Sequence, residues 1–124
     1  MRARWRGKEA EISTRAALLE LAANIEASGE PTLLSLEASN GVTLYVGLGS
    51  SETILLFHED PDEPFHSLGD VEREDRLLFQ GWSQLDEFFG ELALPGDIAL
   101  PALLSFWESG GKRPDGICWE SDDS

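Results

Sequence analysis

Apolar positions toward the end of the chain predict a helix that packs against a flat surface. Leu103, Phe106 and Trp107 share one helical face, and Leu100 lies one turn earlier on it. This i, i+3, i+4 spacing is typical of an amphipathic helix. The Ser-Gly-Gly sequence at residues 109–111 should end the helix, because glycine readily takes the left-handed conformation of a C-cap.

A second helical repeat lies near the start of the chain, from Thr14 to about Ala27. Ser13 is its predicted N-cap, and Ser28-Gly29 should end it. The positions expected to face the core repeat at helical spacing, and they are Ala17, Leu18, Leu21, Ala22 and Ile25.

Strand patterns fill the middle of the chain. Residues 32–37 and 42–48 flank Asn40-Gly41, the strongest short hairpin signal. Residues 53–58 are almost continuously apolar, which indicates a strand in the centre of the sheet. Because tight turns join successive strands, the sheet should be largely antiparallel. Weaker strand patterns cover 10–12, 65–68 and 77–82, and residues 83–90 could form a turn of helix or a strand.

Together these elements predict a single α+β domain over residues 1–124. Its architecture is expected to be an antiparallel sheet of five to six strands with two helices packed mainly on one face. The chain has 124 residues and a hydrophobic content of 41%, enough for one core. It contains no apolar run near the ~20 residues that span a bilayer, no visible signal peptide, and one cysteine. We therefore expect a cytoplasmic location.

Several stretches resemble immunity-protein family one of bacterial polymorphic toxin systems. They are the helix end FWESGGKRP at 106–114, the Trp119-Glu120 pair, and the strand pair around 45–49 and 54–57. The resemblance spans roughly residues 42–120 and favours a strand at 83–90. It implies an antitoxin that binds and blocks a cognate toxin domain, and the usual toxins of this family are deaminases.

The charge of the chain indicates which partners it can bind. Twenty-four acidic and nine basic residues give a net charge of −15, and four of the bases (Arg2, Arg4, Arg6 and Lys8) lie in the first eight residues. From Glu9 onward the chain carries five bases and 24 acids, a net charge of −19. Such a surface repels phosphate backbones and attracts basic partners, so direct nucleic-acid binding is disfavoured. The acids could also serve only to keep the protein soluble.

Half of the acids lie in residues 52–91, which hold twelve acids and two bases. They flank turns instead of following helical i, i+4 spacing, so they form either solvated loops or a docking surface for a basic partner. Trp82, near a predicted strand end, is either a core residue or an exposed interface anchor. The predicted partner-binding residues are Glu59, Asp60, Asp62, Glu63, Asp70, Glu72, Glu74, Asp75 and Trp82.

Motifs that could carry chemistry have simpler structural interpretations. Residues 47–51 (GLGSS) lack the Lys-Ser/Thr ending of a phosphate loop and precede a strand, so they predict a hairpin turn. His58 and His66 enclose acids without the spacing of a calcium or zinc site, and we predict no metal and no cofactor. Cys118, in the apolar segment 117–119, is expected to be a buried, inert thiol.

The resulting prediction is a cytoplasmic, non-catalytic antitoxin whose acidic surface blocks the basic active-site cleft of a nucleic-acid deaminase. Carboxylates would lie where the substrate's phosphates bind. No nucleic-acid or membrane partner is expected. A small enzyme would need a convergent nucleophile, base or metal triad, and none is visible. The remaining alternative is an acidic adaptor that binds another basic protein, and a toxin-encoding reading frame immediately upstream would distinguish the two.

Overall fold

The computed structural model describes residues 1–59 and 63–121. Two α-helices, α1 (Arg15–Ser28) and α2 (Ala99–Glu108), accompany eleven strands within these residues. Short 3-10 helices cover Gly90–Leu92 and Gly96–Ile98. The strands are β1 (Arg2–Trp5), β2 (Lys8–Glu11), β3 (Thr32–Glu37), β4 (Thr43–Leu48), β5 (Glu52–Thr53), β6 (Leu55–His58), β7 (Phe65–Ser67), β8 (Arg76–Gln80), β9 (Leu85–Phe89), β10 (Leu94–Pro95) and β11 (Trp119–Ser121).

Nine of these strands form one sheet, so the α+β class is confirmed but the expected count of five to six strands is too low. The order is β11-β7-β6-β4-β3-β1-β2, and β8 joins at β3 with β9 beyond it. Every pairing is antiparallel except β3 with β8, where Thr32 lies opposite Gln80. The extra strands are short, and β1 was missed because its alternation of arginines with Ala3 and Trp5 gives a weak pattern.

The predicted hairpin of β3 and β4 is confirmed. Leu34 lies opposite Val46 and Leu36 opposite Leu44, and the turn uses Gly41 with a φ of 88°. The predicted strand at 53–58 is instead two strands that break at Ile54. β5 pairs with β10 in a small separate ladder, whereas β6 lies inside the main sheet between β4 and β7.

Helix α1 has the predicted core face, with Leu18, Ala22 and Ile25 buried. Its N-cap is Thr14, not Ser13, because the Thr14 hydroxyl accepts a hydrogen bond of 3.1 Å from the backbone N–H of Ala17. Gly29 ends the helix in the left-handed conformation, as predicted.

Helix α2 buries a face slightly rotated from the predicted one. Ala99, Ala102, Leu103 and Phe106 are buried, whereas Leu100 is 38% exposed and Trp107 is half-buried. Pro101 is the third residue of the helix, where its missing N–H removes no intrahelical hydrogen bond. Gly110 and Gly111 follow the helix with positive φ angles, as the glycine stop predicts.

Both helices pack on the same face of the sheet, as expected. Leu34, Leu44, Val46 and Phe57 supply the sheet side of this core, and the Phe57 and Phe106 rings meet edge to face at 6.3 Å. The β8–β9 hairpin covers part of the opposite face. There a second cluster forms from Leu33, Ile54, Phe79 and Leu92. None of the helices within the described residues is long and apolar enough to cross a bilayer.

The last strand, β11, starts at Trp119, at the end of the apolar segment 117–119. Trp119 packs on Phe57 with ring centroids 6.1 Å apart, and its indole N–H donates to the Pro114 carbonyl. Side chains alternate along an extended segment, so the neighbouring Cys118 points away from this packing. Cys118 is exposed, and the expectation of a buried thiol is wrong.

Candidate protein-interaction surface

The predicted acidic residues lie at two opposite ends of the sheet. Glu59 follows β6 and Glu63 precedes β7, next to the Thr43 end of β4, because His58 lies opposite Thr43. Residues 70–75, which we call the acidic loop, lie at the other end, where Arg73 bonds to Glu52 of β5. Asp60 and Asp62 fall outside the described residues. The structure therefore does not gather the predicted acids into one surface.

Arg73 stabilises the acidic loop through hydrogen bonds to Glu52 and Asp75. Its guanidinium donates to both carboxylate oxygens of Glu52 and to both oxygens of Asp75, at 2.9 and 2.6 Å. The Asp75 hydrogen bonds, followed by those to Glu52, raise the pKa of Arg73. The hydrogen bonds from Arg73 hold the pKa of Asp75 below its usual value. The Asp75 carboxylate is therefore paired with Arg73 and is not a free charge of the loop.

The other three acids of this loop remain exposed and without a basic partner. Asp70 accepts a bond from the backbone N–H of Glu72 at 3.0 Å, which orders the first turn of the loop. Within residues 1–59 and 63–121, Asp70, Glu72 and Glu74 make no ion pair with a basic side chain. The acidic loop thus displays three unneutralised carboxylates on a backbone that Arg73 holds in place.

Three of the four basic residues at the start of the chain, Arg2, Arg4 and Arg6, are neutralised by neighbouring acids. Arg2 and Arg4 both donate to Glu9, at 2.6 and 3.2 Å, and these hydrogen bonds lower the pKa of Glu9, that from Arg2 most. Arg6 donates to the Thr32 hydroxyl at 2.8 Å and lies 3.7 Å from Glu30. These arginines therefore belong to sheet-surface ion pairs and do not form a free cationic arm.

The β8–β9 hairpin adjoins the acidic loop directly. The backbone N–H of Gly90 donates to the Asp75 carbonyl at 2.8 Å, and that of Gly69 donates to the backbone carbonyl of Glu91 at 2.6 Å. The loop therefore borders the open end of the hairpin, where Arg76 lies opposite Phe89.

Both faces of this hairpin carry apolar side chains. Leu77, Phe79 and Phe88 turn inward to the second cluster, and the alternate positions turn outward. Leu78, Leu85 and Phe89 are 49, 58 and 56% exposed. We call these three residues the apolar patch. Sequence reasoning missed it because neither the apolar run 77–79 of β8 nor the mixed sequence LDEFF of β9 shows which face meets solvent.

Trp82 lies in the four-residue turn of the same hairpin and is about half exposed. It lines a groove of about 310 Å³ with Arg4, Ser35, Tyr45 and Asp86, on the face of the sheet opposite the helices. The structure thus agrees with the exposed alternative for Trp82, and its part in binding remains a prediction.

The remaining motifs form ordinary structural contacts. The His58 ring lies 5.0 Å from that of Tyr45, and His66 Nε2 is 3.6 Å from Glu120. In the described part of the chain, no three histidine, cysteine or acidic side chains are close enough to hold a metal ion. Gly49, with a φ of 80°, makes the predicted turn after β4.

Comparison with family models gives a match to Immunity protein Imm1 over residues 6–121. The matched range is longer than the resemblance inferred from the sequence and includes α1, the acidic loop and the β8–β9 hairpin. A search of the curated proteins finds no match to this chain.

Proposed function

Because the chain belongs to the Imm1 family of immunity proteins, we propose that it is a cytoplasmic antitoxin that blocks the active-site cleft of a nucleic-acid deaminase toxin. It acts by binding alone, without catalytic turnover. The observation that carries this proposal is the acidic loop, where Asp70, Glu72 and Glu74 stay unneutralised although the arginines around them are paired.

A deaminase toxin is a fitting target for such a surface. An enzyme that acts on nucleobases must bind a polyanion and take the target base into a pocket. Its cleft therefore carries basic side chains that contact phosphates. Carboxylates can bind those side chains directly, and an antitoxin in the cleft would exclude the substrate.

The acidic loop suits this role better than Glu59 and Glu63. The two groups lie at opposite ends of β6 and β7, and we assign the cleft contact to one of them. Arg73 ties the acidic loop to β5 through Glu52, and a braced loop loses less conformational entropy on binding. We therefore assign the cleft contacts to Asp70, Glu72 and Glu74, and Glu59 and Glu63 become a natural control.

The test uses amide substitutions, which remove charge and keep shape. The probe is the cognate toxin domain, to be sought in the reading frame immediately upstream, then purified and assayed for deamination. The variant Asp70→Asn/Glu72→Gln/Glu74→Gln should associate with this domain about one to three decades more slowly at low salt, because complementary charge accelerates encounter. Added salt should slow the parent more than the variant, because screening acts on the charges still present.

The matched control is Glu59→Gln/Glu63→Gln, which should associate within about twofold of the parent at the same salt concentration. Melting temperatures of both variants should stay close to that of the parent, because the substituted side chains are exposed. Tight binding without loss of deaminase activity would contradict the blocked cleft and favour an acidic adaptor. Equal slowing by both variants would show that only net charge matters.

A further inference from the structure

We propose that the apolar patch on the outer face of the β8–β9 hairpin is the anchor of the toxin interface. Its occupant is a toxin surface with an aliphatic or aromatic side chain at its centre and basic side chains around it. The inference rests on the proposed function and adds an apolar contact to the charge contact described above.

Folding does not account for this patch. A hairpin that covers a sheet needs one apolar face, and Leu77, Phe79 and Phe88 already supply it. Leu78, Leu85 and Phe89 lie at the alternate positions and leave about half of their surface in water. Isolated exposed apolar residues are common, but neighbouring ones mark interaction surfaces.

The patch is also where the exposed apolar side chains of the molecule collect. Six large apolar residues are exposed in the described chain. Five of them lie between Val71 and Phe89, and the sixth, Leu100, is on helix α2. Besides the three patch residues, these five include Val71 in the acidic loop and Trp82 in the hairpin turn.

The two charged side chains among the patch residues, Arg76 and Glu87, neutralise each other. Arg76 and Glu87 face outward among the apolar residues and pair at 3.1 Å. The Arg76 guanidinium also lies over the Phe89 ring, 4.4 Å from its centroid. The patch is therefore apolar and neutral in sum, as the buried centre of a protein interface usually is.

The acidic loop supplies a charged rim on one side of this centre. The Gly90–Asp75 backbone bond joins the two at the Phe89 end of the hairpin. An apolar anchor within a charged rim is the usual arrangement of an energetically strong interface. The charge of the rim specifies the partner, since only a surface with basic side chains around its apolar centre matches both parts.

The hairpin holds the patch in a fixed shape. Five register pairs join β8 and β9, from Arg76–Phe89 to Gln80–Leu85. Its turn is closed by a bond of 2.8 Å from Gly81 N–H to the Gln84 carbonyl, and Gln84 also donates to Asp86. A preformed surface of this kind binds with a small ordering cost.

The test replaces the patch by threonines, which favour strands and are polar. The variant Leu78→Thr/Leu85→Thr/Phe89→Thr should raise the Kd for the cognate toxin domain at least tenfold, mainly through faster dissociation. The loss should persist at high salt, unlike the effect of the amide variant. Leu100→Gln is the matched control and should bind like the parent, because Leu100 is the one exposed large apolar residue outside 71–89 in the described part of the chain.

A circular dichroism melt shows whether the triple variant folds. If it does not, the single variant Leu85→Thr at the most exposed position takes its place, with an expected weakening of at least threefold. Binding of a folded patch variant within twofold of the parent would overturn this inference and leave the proposed function standing. If the parent neither binds nor inhibits the toxin domain, the proposed function fails, and the toxin interface fails with it.

Discussion

The ring of Phe79 lies directly on the backbone of Gly47. A Cβ added at Gly47 would be 2.6 Å from Cε1 of the ring and 2.7 Å from Cζ, closer than side chains tolerate. Gly47 is in strand β4 and Phe79 in β8, so this contact seats the hairpin on the sheet. The position of the hairpin thus depends on the absence of a side chain at residue 47.

Substituting this glycine should therefore loosen the hairpin. We expect Gly47→Ala to lower the free energy of unfolding by about 1–3 kcal/mol, the range for an overpacked site. Urea unfolding followed by tryptophan fluorescence measures it. In a Phe79→Leu background the same substitution should cost less, because the ring it meets is absent. Equal costs in both backgrounds would show that the ring contact is not responsible.

Phe106 should be the most costly residue to truncate on helix α2. It is fully buried against Phe57, and Phe106→Ala should lower the free energy of unfolding by about 3–5 kcal/mol. Trp107 and Trp119 are only half-buried, so each alanine variant should lose less. Urea midpoints of the three variants give this ranking, and a Trp107→Ala protein less stable than Phe106→Ala would reverse it.

The bond between Arg73 and Asp75 should make the acidic loop sensitive to acid. The folded protein holds the pKa of Asp75 below the ordinary value of 3.8. Because folding lowers this pKa, the ionised Asp75 carboxylate stabilises the folded state. The stabilisation is fully present above the pKa that Asp75 has in the unfolded chain, and it is lost as the pH falls through the pKa of the folded state. An NMR titration of the Asp75 carboxyl should give a pKa below 3.8 in the parent and a higher one in Arg73→Gln. An unchanged pKa in that variant would contradict the pairing.

The sequence predicts those elements whose signals are local. The Asn40-Gly41 turn identifies the β3–β4 hairpin, and the apolar spacing with Gly29 identifies α1. Strand β1 depends on a partner far along the chain, with Glu37 opposite Arg2. Short strands such as β7 and β11 give only weak patterns, because they carry too few residues for a clear period. The exposure of Cys118 was missed for the same reason, since it depends on which side of Trp119 meets Phe57.

The candidate site was only partly accessible to sequence reasoning. Composition identifies an acidic segment but does not show that Glu59 and Glu63 lie at the opposite end of the sheet from residues 70–75. Composition also does not show that Asp75 pairs with Arg73, so that Asp75 is not one of the unpaired acids of the acidic loop. The apolar patch needs the direction of each side chain, which follows from the register of β8 with β9 and from the position of Phe79 over Gly47.

The alternation along β8 and β9 allows partner choice and folding to change independently. Leu77, Phe79 and Phe88 hold the hairpin on the sheet. The alternate positions of β8 and β9 face outward. A substitution at an outward position changes the surface offered to a partner and opens no cavity in the core. A chain built this way can follow a diverging toxin through single substitutions, each of which leaves a folded protein.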